Sequence, residues 1–190
     1  GVCEFDGGKK SEEVRLFSGK SGYPDDPVMT LGVGLAFLDA QPSASDDWIL
    51  RILANRMRQF GKMYPNAGYG GMFRQWLRNP ECQAYNSFGN GSAMRVSPVA
   101  WAYDNLDKVL MEAEKTAIVT HNHPEGVKGA VAVAHAIYYL RTTHNQKVYE
   151  NIMQSYYPQF MVNDYYAGIF DETCQGTVPL CLKIIRVSTS

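Results

Sequence analysis

Asp25 and Asp26 stand side by side where a glycine- and lysine-rich stretch gives way to a helical pattern. Two adjacent carboxylates at such a bend are oxygen donors of the kind a hard cation such as Mg²⁺ takes. The same pair, followed by Pro27, also makes an ordinary helix start that complements the helix dipole. Further along, His121 and His123 frame Asn122 just ahead of Pro124. In an extended segment side chains at i and i+2 point the same way, so both imidazoles can reach one metal. A His just before a helix N-terminus can instead donate to a phosphate or sugar oxygen that the exposed N–H groups attract. Gly89-Asn90-Gly91, with Ser87, Ser92 and Arg95, forms a small-residue loop. Its glycines let backbone N–H groups approach a diphosphate closely, although such triplets also occur in plain turns.

Other chemistry-bearing residues have plainer readings. His135 lies one helical turn from Val131 and Tyr139 and reads as a packing histidine. Tyr156, Tyr157, Tyr165 and Tyr166 read as core and rim, and Cys174 and Cys181, without a base-like neighbour in sequence, as structural thiols.

The elements that must position these groups are helical. Residues 6 to 24 lack any period and read as a surface loop. From Asp25 a helix is expected with Asp26 as cap, Pro27 at its first position, and a buried stripe of Val28, Leu31, Leu35 and Leu38. A second helix is predicted over Asp46 to Gly61, and a short third over Met72 to Leu77. A polar glycine loop follows, closed by Ser97-Pro98 as cap and first-turn pair. Longer helices are expected over about Asp104 to Val119 and Pro124 to Arg141, with weaker ones near Gln146 to Tyr156 and Pro179 to Arg186. No segment alternates with period 2, so the fold class is all-α, in one domain over residues 1–190 and without internal repeats.

Composition excludes several function classes. With 190 residues, 45% of them hydrophobic, the chain is long enough to bury a core without staples. Eighteen Lys and Arg against nineteen Asp and Glu leave a net charge of −1 and no basic block, which argues against binding driven by phosphate neutralisation along a nucleic acid. The longest apolar run, about ten residues around Val28 to Leu38, is too short and glycine-rich for a bilayer span of about 20 residues. Four cysteines without a C-x-x-C pair suit a reducing cytoplasm, and no signal peptide is visible.

The blocks GVCEFD, LFSGKSGYPDDPVMTLGVGLAFLDA, YPNAGYGGMFRQWL, YNSFGNGSAMRVSPVAW, THNHPEGVKGA and CQGTVP, in that order, resemble the ADP-ribosylglycohydrolase family over Gly1 to about Arg186. The resemblance implies a compact all-α orthogonal bundle. It implies hydrolysis of the bond between the anomeric carbon of ADP-ribose and an acceptor (a protein side chain or a small molecule), usually with two Mg²⁺ ions. By resemblance Glu4 matches the family's catalytic glutamate, acting as general acid/base. Asp25 and Asp26 match the aspartates of its T-D-D-T metal motif, whose ions grip the ribose hydroxyls and polarise a water. Ser87, Phe88, Gly89, Asn90, Gly91 and Met94, together with His121, match the part that cradles ADP-ribose.

The chain departs from the family pattern in ways that set expectations. Pro24 and Pro27 replace the threonines of T-D-D-T, which removes a hydroxyl ligand and stiffens the backbone. No D-x-D-T motif stands in these 190 residues, so the family's C-terminal metal-binding helix is expected to be lacking and the chain to be shortened at both ends relative to the family. At most one weak Mg²⁺ site is then expected, since Mg²⁺ demands a near-octahedral oxygen shell. The rival expectation is a catalytically silent module that binds ADP-ribose. The string HNHP also resembles zinc-dependent JAMM isopeptidases. Their Ser and Asp, eight and eleven residues past the second His, are Val131 and Ala134 here.

Overall fold

The computed structural model of the chain describes residues 22–41, 43–143, 147–161 and 171–188. Among them run eight α-helices: α1 Asp25–Asp39, α2 Asp46–Met63, α3 Gly71–Arg78, α4 Ser97–Ala102, α5 Leu106–Ile118, α6 Pro124–Thr142, α7 Lys147–Tyr156 and α8 Cys174–Ser188. The all-α reading therefore holds. No helix among the described residues is long and apolar enough to cross a membrane.

The middle of the fold is α6, which packs against α4, α5, α7 and α8, while α1 packs on α2 and α4. Small residues make this possible: Gly126, Gly129, Ala130, Ala132, Ala134 and Ala136 are all buried, so neighbouring backbones come close. Two apolar cores result. The larger joins α1 to α6, and the smaller gathers Ala132 and Ala136 of α6 with Ile152, Met153 and Tyr157 and with Cys174, Val178 and Leu182 of α8. His135 packs as expected, its ring stacked on Tyr139 and its Nδ1 3.0 Å from the Tyr156 hydroxyl.

The first helix corrects the sequence reading twice. Its buried face is Val28, Met29, Gly32, Val33 and Ala36, whereas Leu31, Leu35 and Leu38 are 56%, 36% and 81% exposed. Apolar residues lie on both sides of α1, so periodicity did not single out a face. Backbone proximity did: a Cβ on Gly32 would lie only 3.4 Å from the Met57 Cα of α2. Second, the N-cap is Pro24 and not Asp26. The Asp25 and Asp26 carboxylates both sit in the first turn, where they complement the helix dipole, and the Asp25 carboxylate accepts from the backbone N–H groups of Asp25 and Asp26.

Two boundaries also move. Helix α4 has Val96 as N-cap with no side-chain cap, so Ser97 lies inside it. Helix α8 starts five residues ahead of Pro179, because Thr173 accepts a hydrogen bond from the Gly176 N–H at 3.0 Å and Asp171 accepts one from the Thr173 N–H at 2.7 Å. This capping outweighs the lost backbone donor of Pro179.

Candidate functional site

The head of α1 meets the glycine loop through one side chain. The Thr30 hydroxyl lies 2.7 Å from the Asp26 carbonyl and 3.3 Å from the Met94 carbonyl, and so ties the aspartate turn to the 87–96 segment. The head of α8 closes the loop from the other side. Asn90 N–H donates to the Glu172 carbonyl at 2.7 Å, Cys174 N–H donates to the Phe88 carbonyl at 2.9 Å, and the Asn90 amide reaches the Thr177 hydroxyl at 3.2 Å. An antiparallel bridge joins Gly89 to Thr173.

The same contact brings a third carboxylate toward the pair. Burial first, then the charges of Asp26 and Glu172, hold the Asp25 carboxyl above its ordinary range. No Lys or Arg among the described residues forms an ion pair with Asp25, Asp26 or Glu172. Among the described residues the α1 head is therefore an acidic centre without a paired cation. Its hard oxygen donors match a divalent cation in kind. In number they fall short, since no group of three His, Cys, Asp or Glu among the described residues comes together as a metal cage.

The HNHP segment has divided its labour. Asn122 accepts from the Asn86 N–H at 2.7 Å and so holds that residue at φ 54°, the left-handed turn that opens the loop. His123 caps α6, its Nδ1 accepting from the Glu125 N–H at 3.1 Å, and its ring lies 5.3 Å from that of Phe88. Phe88 keeps 47% of its surface exposed and so offers a ring face to solvent. His121 turns inward beneath the glycines. The two imidazoles thus have different partners and do not converge on one metal.

His121 is held by a buried chain of hydrogen bonds. Arg95, wholly buried, donates from Nη2 to the Thr116 carbonyl at 2.7 Å and to the Thr120 hydroxyl at 2.8 Å. The Thr120 hydroxyl lies 2.7 Å from His121 Nδ1. Thr120 already accepts from Arg95, and donation of its own proton to Nδ1 is the pairing that leaves the His121 proton on Nε2. That Nε2 faces the loop: a Cβ on Gly91 would sit 3.0 Å from it, and one on Gly89 3.8 Å. Glycine at 91 is thus needed for the approach. The backbone N–H groups of Gly91 and Ser92 have no acceptor among the described residues. The neutral His121 ring lies directly against the glycines of this loop.

Burial, and then the Arg95 charge, push the His121 pKa down to about 3. A depressed histidine pKa means the unfolded chain takes up the proton first. The contribution of His121 to stability is therefore complete above about 6.5 and is lost as pH falls toward about 3. His121→Gln is expected to flatten the decline of urea midpoints between neutral pH and pH of about 4. An unchanged pH slope in the variant would show that another group carries the acid sensitivity.

Most of the residues expected from sequence come together here: Asp25, Asp26, Ser87, Phe88, Gly89, Asn90, Gly91, Met94 and His121 line or brace one region. Glu4 lies outside the described residues. Sequence reasoning assigned no part in the site to Glu172 or Thr120, and it named Arg95 with the glycine loop without its buried link to His121. The Asp171-Glu172-Thr173 string stood close to CQGTVP, a signal that could have placed it beside the loop.

An all-helical domain whose acidic helix head is tied to a glycine-rich loop is the class of protein defined by this fold and site. The chain matches the family model described as ADP-ribosylglycohydrolase over residues 3–179, and it belongs to that family. It is 30% identical over 131 residues to the ADP-ribosylhydrolase ARH3 of Mus musculus, a match covering 61% of this chain and 34% of that protein. The identity to ARH3 of Homo sapiens is also 30%, and to that of Gallus gallus 29%, over the same length. The chain thus spans about a third of the length of the curated relatives it matches.

Proposed function

We propose that this chain acts as a hydrolase that cleaves the glycosidic bond between ADP-ribose and an acceptor, a protein side chain or a small molecule. One observation carries the reading: the Asp25-Asp26 turn is tied through Thr30 to the loop that His121 Nε2 approaches, where the Gly91 and Ser92 N–H groups have no acceptor among the described residues. Those donors suit the diphosphate. Phe88 supplies a ring face for the base. The carboxylates of Asp25 and Asp26 suit the hydroxyl-rich ribose end, where they would hold Mg²⁺, whose chemistry is to polarise sugar hydroxyls and a water.

In this reading Glu4 takes a proton from the water that attacks the anomeric carbon, and the bond to the acceptor oxygen or nitrogen breaks as the acceptor gains a proton. His121 stays neutral at working pH, so it donates a hydrogen bond without adding a second positive charge beside Arg95. Glu4→Gln is expected to abolish turnover while leaving ADP-ribose affinity within about twofold, because a lost acid/base group acts on the transition state alone. Calorimetry with ADP-ribose beside mass spectrometry of an ADP-ribosylated peptide, with Mg²⁺ present, reads both quantities. Full turnover by the variant would place the acid/base elsewhere.

The short donor set at the α1 head favours a second reading, a module that binds ADP-ribose without cleaving it. Titration separates the two: the hydrolase needs Mg²⁺ for full affinity, whereas the silent module binds equally well without it. Failure to release ADP-ribose from the peptide under any Mg²⁺ concentration would overturn the first reading.

A further inference from the structure

A cleft of about 620 Å³ opens between the C-terminal end of α2, the 65–70 loop and α3, and it shares no lining residue with the Phe88 loop. Three cations line it: Lys62, Arg74 and Arg78. None of them forms an ion pair among the described residues. Lys62 and Arg78 lie in the last turns of their helices, where they complement the dipole. Arg74 has no such task. It stands one turn ahead of Arg78 on α3, a like-charge pair that costs helix stability rather than adding to it.

Tyr69 lines the same cleft. It is only 3% exposed, and its hydroxyl is buried with no hydrogen-bond partner among the described residues. A buried phenol left unpartnered costs about 1–3 kcal/mol. Burial and the nearby Asp25 carboxylate push its pKa up to about 12, so it remains a donor. That influence of Asp25 also sets the cleft beside the acidic centre, while the Phe88 loop borders the same centre through Thr30.

We infer that this cleft binds an acidic peptide segment, with Arg74, Arg78 and Lys62 pairing its carboxylates. Forked guanidiniums match carboxylates bidentately. The cleft is open and walled partly by Leu77, a shape suited to a chain passing through rather than to an engulfed small anion. That the segment belongs to the ADP-ribosylated acceptor rests on the hydrolase reading above; that the cleft binds it does not.

The test is fluorescence anisotropy of a labelled alternating Glu-Gly peptide on the intact chain, with a Lys-Gly peptide as control and ADP-ribose titrated separately. The Glu-Gly peptide is expected to bind, more weakly at high salt, and the Lys-Gly peptide not to bind. A triple variant Lys62→Gln, Arg74→Gln, Arg78→Gln should weaken the Glu-Gly peptide by about tenfold or more and leave ADP-ribose affinity within about twofold. Arg74→Glu with Arg78→Glu should transfer the preference to the Lys-Gly peptide, which a merely unfolded protein would not do. Unchanged peptide affinity in the triple variant, or displacement of the peptide by inorganic pyrophosphate at concentrations where free glutamate has no effect, would overturn the assignment. Peptide binding without any ADP-ribose binding would support the cleft and overturn the hydrolase reading instead.

Discussion

Asp25→Asn is expected to raise the thermal midpoint of the metal-free protein at neutral pH while reducing Mg²⁺-dependent ADP-ribose hydrolysis by about a hundredfold or more. The two effects have one cause. Burial and the carboxylates of Asp26 and Glu172 raise the Asp25 pKa, so the folded state holds this proton more tightly than the unfolded chain does. The ionised carboxylate therefore opposes folding at neutral pH, and the penalty fades as pH falls through the raised pKa toward the ordinary value of 3.8. Asparagine keeps the shape and removes the charge. A cation at the α1 head would be stabilised by that same charge, so the variant loses what the cation contributed; a hundredfold loss is about 2.7 kcal/mol of transition-state stabilisation. Melting curves with and without Mg²⁺, and the release assay, check both halves. A lower midpoint together with retained Mg²⁺ dependence would remove Asp25 from the metal-binding role.

Gly126→Ala should damage the cradle from beneath. Gly126 lies buried in the first turn of α6, and a Cβ there would come within 2.5 Å of the Ser87 carbonyl oxygen and 3.1 Å of both the His121 Cβ and its carbonyl. Backbone cannot yield as a flexible side chain can. The loop must shift, and with it the Ser92 hydroxyl that donates to the Gly126 carbonyl at 2.6 Å. Overpacking of this kind costs about 1–3 kcal/mol. Displacing the loop from His121 Nε2 should also weaken ADP-ribose binding by about tenfold. Gly71→Ala, whose Cβ would meet nothing within 4 Å, is the control and should leave both quantities nearly unchanged. Urea denaturation and calorimetry on the two variants decide it. Equal behaviour would mean the loop is not braced on α6.

How much of this was legible beforehand differs by residue. The helices α2, α5 and α6 announced themselves by period and by their boundary residues, and the loop of Gly89-Asn90-Gly91 by its composition. The buried face of α1 was not legible. Leu31, Leu35 and Leu38 form as good an apolar stripe as the one that is buried, and only the close approach of α2 at Gly32 favours the other face. The link between Thr120 and Arg95 was silent for another reason: a threonine next to a histidine and an arginine beside a glycine loop show no pairing until burial brings them together.

The chemical inventory was a property of the chain alone: a carboxylate pair at a helix head, a glycine loop able to approach an anion, and a histidine ahead of a helix. Their types and spacings follow from local backbone preferences that few contacts can alter. Tertiary structure decided which of these groups face one another. It carried Glu172 toward Asp25, aimed the His121 ring at Gly91, and left three cations around Tyr69, since such meetings depend on packing between segments far apart in sequence.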